Sequence, residues 1–163
     1  MRASLPGRQT SKRAAVAPAL VGSNGLGAST DDFDTFRRMA PLSQRRTIAD
    51  GFEAAIVERV ARELLNISVQ SLLAALSLPT STIQRKITNA DRLSQAESDR
   101  VARVLYVLDH ATDVFEDREL AAQWMTRVHS ELDGLKPIEV LDVQPGYDRV
   151  RDLLNRAAFA VGV

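Results

Sequence analysis

From Phe33 onward, apolar residues return at spacings of three and four, the period of helices packed by one face. No segment alternates as a half-buried strand does, so the pattern predicts an all-α protein. Thr30-Asp31-Asp32 ahead of Phe33, Phe36 and Met39 predicts a short helix over about 32–39. Phe52, Ala55, Ile56, Val60 and Leu64 predict a second over about 51–65, with Asn66 as its stop. Ser68 is placed to cap a helix carrying Leu72, Leu73, Leu76 and Leu78, which Pro79 ends. Thr80-Ser81 opens a short helix over 81–88, with Ile83 and Ile87 one turn apart. Ser94 and Glu97 have capping-box spacing ahead of a long helix over 95–114, whose buried stripe is Val101, Val104, Leu105 and Leu108. Further helices are expected over 117–130, 137–141 and 147–159, with Pro145-Gly146 as a turn before the last.

Three segments follow from this pattern. Residues 1–30 are rich in Gly, Ser, Ala and Pro without a sustained apolar period, and are expected to be a disordered tail. Residues 31–92 are expected to form a helical, helix-turn-helix DNA-binding domain, and residues 93–163 a second small helical domain.

Composition narrows the function. The 163 residues are 45% apolar but only 5% aromatic, so the core must be mostly aliphatic. Lys and Arg number 21 and Asp and Glu 21, which excludes a strongly basic nucleic-acid binder as a description of the whole chain but leaves room for a local basic patch. Without cysteine there is no disulfide, catalytic thiolate or thiolate metal site, and His110 and His129 are too few for a multi-histidine metal centre. No cofactor is expected. No run of 18 apolar residues exists to span a membrane. Residues 14–21 resemble a weak signal-peptide core, but Pro18 interrupts them, and a cytoplasmic tail is the expected reading.

The candidate chemistry begins at residues 69–87. A leucine-faced helix ends at a tight turn, and the next helix opens with short hydroxyls, then an amide and two cations. A DNA recognition helix needs that order. Thr80, Ser81 and Thr82 suit phosphate contact, Gln84 suits adenine, Arg85 suits guanine or phosphate, and Lys86 adds a point charge. Taken alone, the same residues also read as a solvated helix start.

At this point the sequence resembles the Xre/MbcA/ParS antitoxin family. The likeness rests on 76–86, on Leu93-Ser94-Gln95-Ala96-Glu97, on Ala121-Ala122-Gln123-Trp124-Met125, on Leu132-Asp133-Gly134-Leu135-Lys136-Pro137 with Leu141, and on 146–156, in that order. It covers about 50–160. The resemblance implies an antitoxin whose C-terminal domain binds and blocks a RES-domain, NAD-consuming toxin, and which represses its own operator DNA as a homodimer. The chain departs from the family at its end: Arg156 is followed by Ala157-Ala158-Phe159, without the acidic residue the family carries there.

Trp124, the only tryptophan, reads first as core packing and second as an anchor in the toxin interface. Arg149, Arg151, Asn155 and Arg156 read either as a solvated face or as a toxin-facing surface, led by Arg156 and then Asn155, with Tyr147 and Phe159 as apolar anchors at its ends. Glu97, Asp99 and Arg100 read as cap and ion-pair residues rather than an acid–base group, since Glu97 reaches Ser94 and Asp99 pairs with Arg103. His129 is expected near a helix C-terminus, and His110 at a partly exposed polar position. An enzyme is disfavoured by the missing cysteine, scarce histidine and lack of a Gly-rich phosphate loop. The alternative that stays open is a stand-alone helix-turn-helix regulator with a dimerisation or sensing domain.

Overall fold

The computed structural model describes residues 30–161. The expected disordered tail lies outside that range, except for Thr30, which opens α1. The described chain is all-α: α1 (Thr30–Arg38), α2 (Pro41–Asp50), α3 (Ile56–Arg59), α4 (Val69–Ala75), α5 (Thr80–Thr88), α6 (Gln95–Phe115), α7 (Arg118–Thr126) and α8 (Gln144–Val161). Two isolated bridges, Glu53 with Arg92 and His129 with Leu135, are the only extended pairings among the described residues.

The long helix α6 is the axis, and α1, α2, α7 and α8 all pack on it. It starts where the sequence says it should: Ser94 Oγ accepts from Glu97 N at 3.3 Å, and Glu97 Oε2 accepts from Ser94 N at 2.6 Å. Its expected stripe is buried and is widened by Ala102, Val107 and Ala111, because elements cover it from both sides. Ser98 is buried there as well, and its hydroxyl accepts from Phe52 N at 2.9 Å, so the buried polar group is satisfied. One continuous cluster of buried side chains runs from Phe33 through Leu154, with Phe36 edge-on to Phe52 at 5.3 Å. Each fully buried leucine in it, such as Leu72 or Leu154, contributes about 2 kcal/mol by leaving water.

One helix is unpredicted and three local expectations are corrected. Helix α2 has no counterpart in the hydrophobic pattern because none of its residues is fully buried, although Pro41 sits at the favoured first position. The helix expected over 51–65 begins only at Ile56, then widens into a π-turn over Val60–Leu64. Gly51 instead ends α2 at φ +84°, and a Cβ there would lie 2.1 Å from Leu93 O. The helix expected to reach residue 130 stops at Thr126, because His129 N bonds Leu135 O and Gly134 N bonds His129 O, closing a tight loop through left-handed Asp133 and Gly134. Pro145-Gly146 is not a separate turn but the first turn of α8. Proline is tolerated there because first-turn N–H groups have no helical partner.

Candidate functional site

The helix-turn-helix is formed by α4 and α5. Ser68 caps α4, its Oγ accepting from Ser71 N at 3.0 Å. Helix α4 ends at Leu76, and the turn passes through Ser77 at φ +51°. Arg100 on α6 closes that end: its Nη1 donates to Ser77 O at 2.9 Å and Leu76 O at 3.2 Å, satisfying carbonyls that the helix leaves open. Ser77 Oγ also bonds Asp142 Oδ2 at 3.0 Å.

Helix α5 docks by Ile83, which is fully buried, with Ile87 partly buried beside it. The opposite face is exposed and carries Ser81, Gln84, Arg85 and Thr88, one helical ridge, with Thr80 exposed at the start and Thr82 half-buried. Lys86 leaves this set. Its Nζ donates to Glu97 Oε2 at 2.6 Å, and both side chains are largely buried. Burial alone would raise the Glu97 carboxyl, but the Lys86 ammonium and the Ser94 N–H and hydroxyl outweigh it and hold it below the usual glutamate range. Arg85 is therefore the one cation on the exposed ridge of α5.

The second surface lies on α8. Val150, Leu153 and Leu154 are buried and fix the helix to the core. Tyr147, Arg151, Asn155 and Phe159 follow one another at four-residue steps; Tyr147 is partly buried against the core and the other three are exposed, with the Arg151 guanidinium 5.6 Å from the Tyr147 ring centre. Phe159 stands at its end with 78% of its surface in solvent. Arg149 and Arg156 occupy the neighbouring edge and share one partner: Arg149 Nη2 donates to Glu131 O at 3.3 Å, and Arg156 Nη1 pairs with Glu131 Oε1 at 3.1 Å. Trp124 is half-buried on α7, its ring 5.9 Å from Phe115 and 5.0 Å from His129. His129 Nε2 is 3.1 Å from Trp124 O, so the imidazole does meet the end of α7, though from the following loop. A hollow of about 330 Å³ is lined by Trp124, His129, Glu131 and Arg156, which brings the tryptophan and the arginine to one place.

Two family matches fall on these two surfaces. Residues 43–106 match the antitoxin Xre-like helix-turn-helix domain, and residues 110–159 match the antitoxin Xre/MbcA/ParS C-terminal toxin-binding domain. The chain belongs to the Xre/MbcA/ParS antitoxin family. It is an antitoxin of a toxin–antitoxin system. Among similar proteins, the "Antitoxin Xre" of Photorhabdus laumondii is 29% identical over 108 residues, 66% of this chain and 72% of that protein. The "Antitoxin Xre" of Yersinia enterocolitica is 28% identical over 126 residues, 74% of this chain and 84% of its own length. A Sphingobium protein named "Prs ADP-ribosylating antitoxin" is 27% identical over 131 residues, 75% of this chain and 82% of that one.

Around the antitoxin's Trp124 the structure adds residues that sequence reasoning missed. Leu120, Val128 and Leu135 are exposed apolar side chains, and Leu120 and Val128 line a second hollow with Phe115 and Trp124. The turn at Asp133-Gly134 was legible, but the helix before it stops at Thr126 rather than at 130, which leaves Val128 in solvent rather than on a helix face. Among the described residues no group of three or more His, Asp or Glu side chains is placed to hold a metal. No helix of the described residues is long and apolar enough to cross a membrane.

Proposed function

We propose that this antitoxin neutralises a RES-domain toxin, an NAD-consuming enzyme of the cytoplasm, by direct binding through α8 and the Trp124 hollow, and that it represses its own operon as a homodimer. The observation that carries the reading is the end of α8. Three buried residues hold the helix down, and Asn155, Arg156 and Phe159 project beyond them inside the toxin-binding match. Both partners of the Arg156–Glu131 pair are about half exposed. A carboxylate of the toxin can therefore exchange with Glu131 on the guanidinium at little cost. Trp124 and Phe159 supply the apolar contacts that dominate such interfaces. On the DNA side, Thr80, Ser81 and Thr82 meet phosphate, while Gln84 and Arg85 reach base edges in the major groove. Lys86 serves by fixing the pose of α5 against α6. A helix-turn-helix with one free cation binds weakly alone, so two copies on an inverted-repeat operator supply the needed strength.

The test is co-expression with the product of the neighbouring gene, followed by capture of one through the other. Removing all of α8 would expose the core, because truncating buried leucines such as Leu154 costs about 2–5 kcal/mol each. Point variants are the cleaner probe. Arg156→Ala and Phe159→Ala are expected to weaken toxin binding about 10-fold or more each, without loss of fold. Capture at full wild-type affinity by the double variant would falsify α8 as the inhibitory element.

A further inference from the structure

The recognition helix leaves a shortage of positive charge. Lys86 is engaged by Glu97, and Arg85 alone remains on the exposed ridge of α5. Affinity for duplex DNA rests on the number of phosphates neutralised. Helix α2 has the complementary excess. It buries none of its residues, and Leu42, Arg45, Arg46 and Ala49 form an outward ridge at helical spacing; exposed Arg38 ends α1 three residues before α2 begins. Arg37 is tied to Asp109 at 2.6 Å, but Arg38, Arg45 and Arg46 make no ion pair among the described residues.

The end of α2 is also joined to the segment that leaves α5. Leu93 N bonds Phe52 O at 2.8 Å, Ala54 N bonds Asp91 O at 3.0 Å, and Arg92 Nη1 donates to Gly51 O at 2.7 Å. The close approach at Gly51 leaves no room for a Cβ. Arg46 lies five residues before this junction, about 8 Å of helix axis. A duplex gripped by α5 carries one negative charge per about 1.7 Å of axis as it runs on past that helix. Arg45 and Arg46 fall within the helix-turn-helix match.

We infer that the exposed face of α2, through Arg45 and Arg46 with Arg38 beside them, is a second DNA contact that grips phosphates flanking the bases read by α5. It rests on the DNA-binding reading above. The contact is sequence-independent: it sets affinity and register, and α5 sets the sequence.

The test uses the full chain and two duplexes, the stretch immediately upstream of its own coding region and a scrambled one of equal length. Binding is titrated from 0.05 to 0.3 M salt for the wild type, for Arg45→Gln with Arg46→Gln, for the same positions changed to Lys, and for Arg85→Ala. Loss of two phosphate contacts flattens the log–log salt slope by about 1.8, which is roughly 60-fold weaker binding at 0.1 M salt. That loss is expected on both duplexes and is expected to be largely restored by the lysine pair. An unchanged slope in the glutamine pair, or a loss confined to the upstream duplex, overturns the inference while leaving α5 in place if Arg85→Ala still abolishes discrimination. A wild type that binds neither duplex sinks the DNA reading itself, and this inference with it. Binding of the α2 face to vesicles of 30% anionic lipid, with no DNA effect of the glutamine pair, replaces DNA by a membrane and likewise overturns it.

Discussion

Lys86 of α5 and Glu97 of α6 are joined at 2.6 Å, and the same Glu97 oxygen accepts the N–H of Ser94 at 2.6 Å. One carboxylate therefore starts the central helix and fixes the pose of α5, the proposed recognition helix. Glu97→Gln keeps a side chain suited to the cap and removes the charge. At pH 7 it is expected to cost about 0.5–1 kcal/mol. The Glu97 pKa is lowered on folding, so its contribution is complete above the ordinary value of 4.5 and is lost as pH falls below that value through the native one. Urea midpoints of the two proteins should therefore differ at pH 7 and converge as pH drops below 4.5. A gap that widens on acidification would contradict the assignment.

Arg85 and Lys86 are neighbours with different surroundings, and their alanine variants should separate. Arg85→Ala is expected to weaken operator binding by about 1–3 kcal/mol, roughly 5- to 150-fold, with little change in thermal stability. Lys86→Ala is expected to lower stability by up to about 1 kcal/mol through loss of its partially buried ion pair. Gel-shift titration beside thermal melting reads both. Equal effects of the two variants on stability would remove the distinction.

At the other surface, Glu131 holds Arg156 in the free antitoxin. Glu131→Gln releases the guanidinium without reshaping the loop. Toxin binding by this variant is expected to be unchanged or tighter by a few-fold, since an intramolecular competitor is removed. Emission from Trp124, the only tryptophan in this chain, should report it, because Glu131 and Trp124 line the same hollow. A loss of toxin affinity in Glu131→Gln would make Glu131 a direct contact instead.

Gly146 is needed for space rather than for flexibility. A Cβ at this position would sit 1.8 Å from Val140 O, backbone that cannot swing aside. Gly146→Ala should therefore destabilise by about 1–3 kcal/mol despite the better helix propensity of alanine. Chemical denaturation reads this directly, and a stabilised variant would show that α8 and the 3-10 turn over Pro137–Val140 can move apart.

Ala90 presents the opposite case. It is exposed and sits at φ +54°, where a Cβ is strained and glycine is not. After allowing for the greater freedom glycine gains on unfolding, Ala90→Gly should stabilise by about 0.5–1 kcal/mol. That is a rise of about 1–4 °C in melting temperature for a chain of this size.

The parts of the fold that were legible in the sequence are those set by residues close in the chain. Ser68 and Ser94 both cap helices, each side-chain oxygen accepting from an N–H three residues on. Asn66 stops its helix in the left-handed conformation. The stripe of α6 and the Asp99–Arg103 pair at 2.7 Å follow from helical spacing alone. Helix α2 is not legible in the sequence because its inner face, Gln44, Thr47 and Ile48, is mostly polar and only half-buried, so no apolar period marks it. Its exposed outer face, with Arg45 and Arg46, is what makes α2 a candidate contact.

By itself, the sequence determined an all-α chain, the capped starts of α4 and α6, and the order of residue types that makes α5 and α8 candidate binding helices. Those are local properties, fixed by backbone hydrogen bonding and side-chain spacing within a few turns. Only the tertiary structure decided which cations are free. Lys86 and Glu97 are eleven residues apart, Arg37 and Asp109 seventy-two. Whether such charges meet depends on how α1, α5 and α6 pack, and packing is set by the shape of the shared core rather than by the charges themselves.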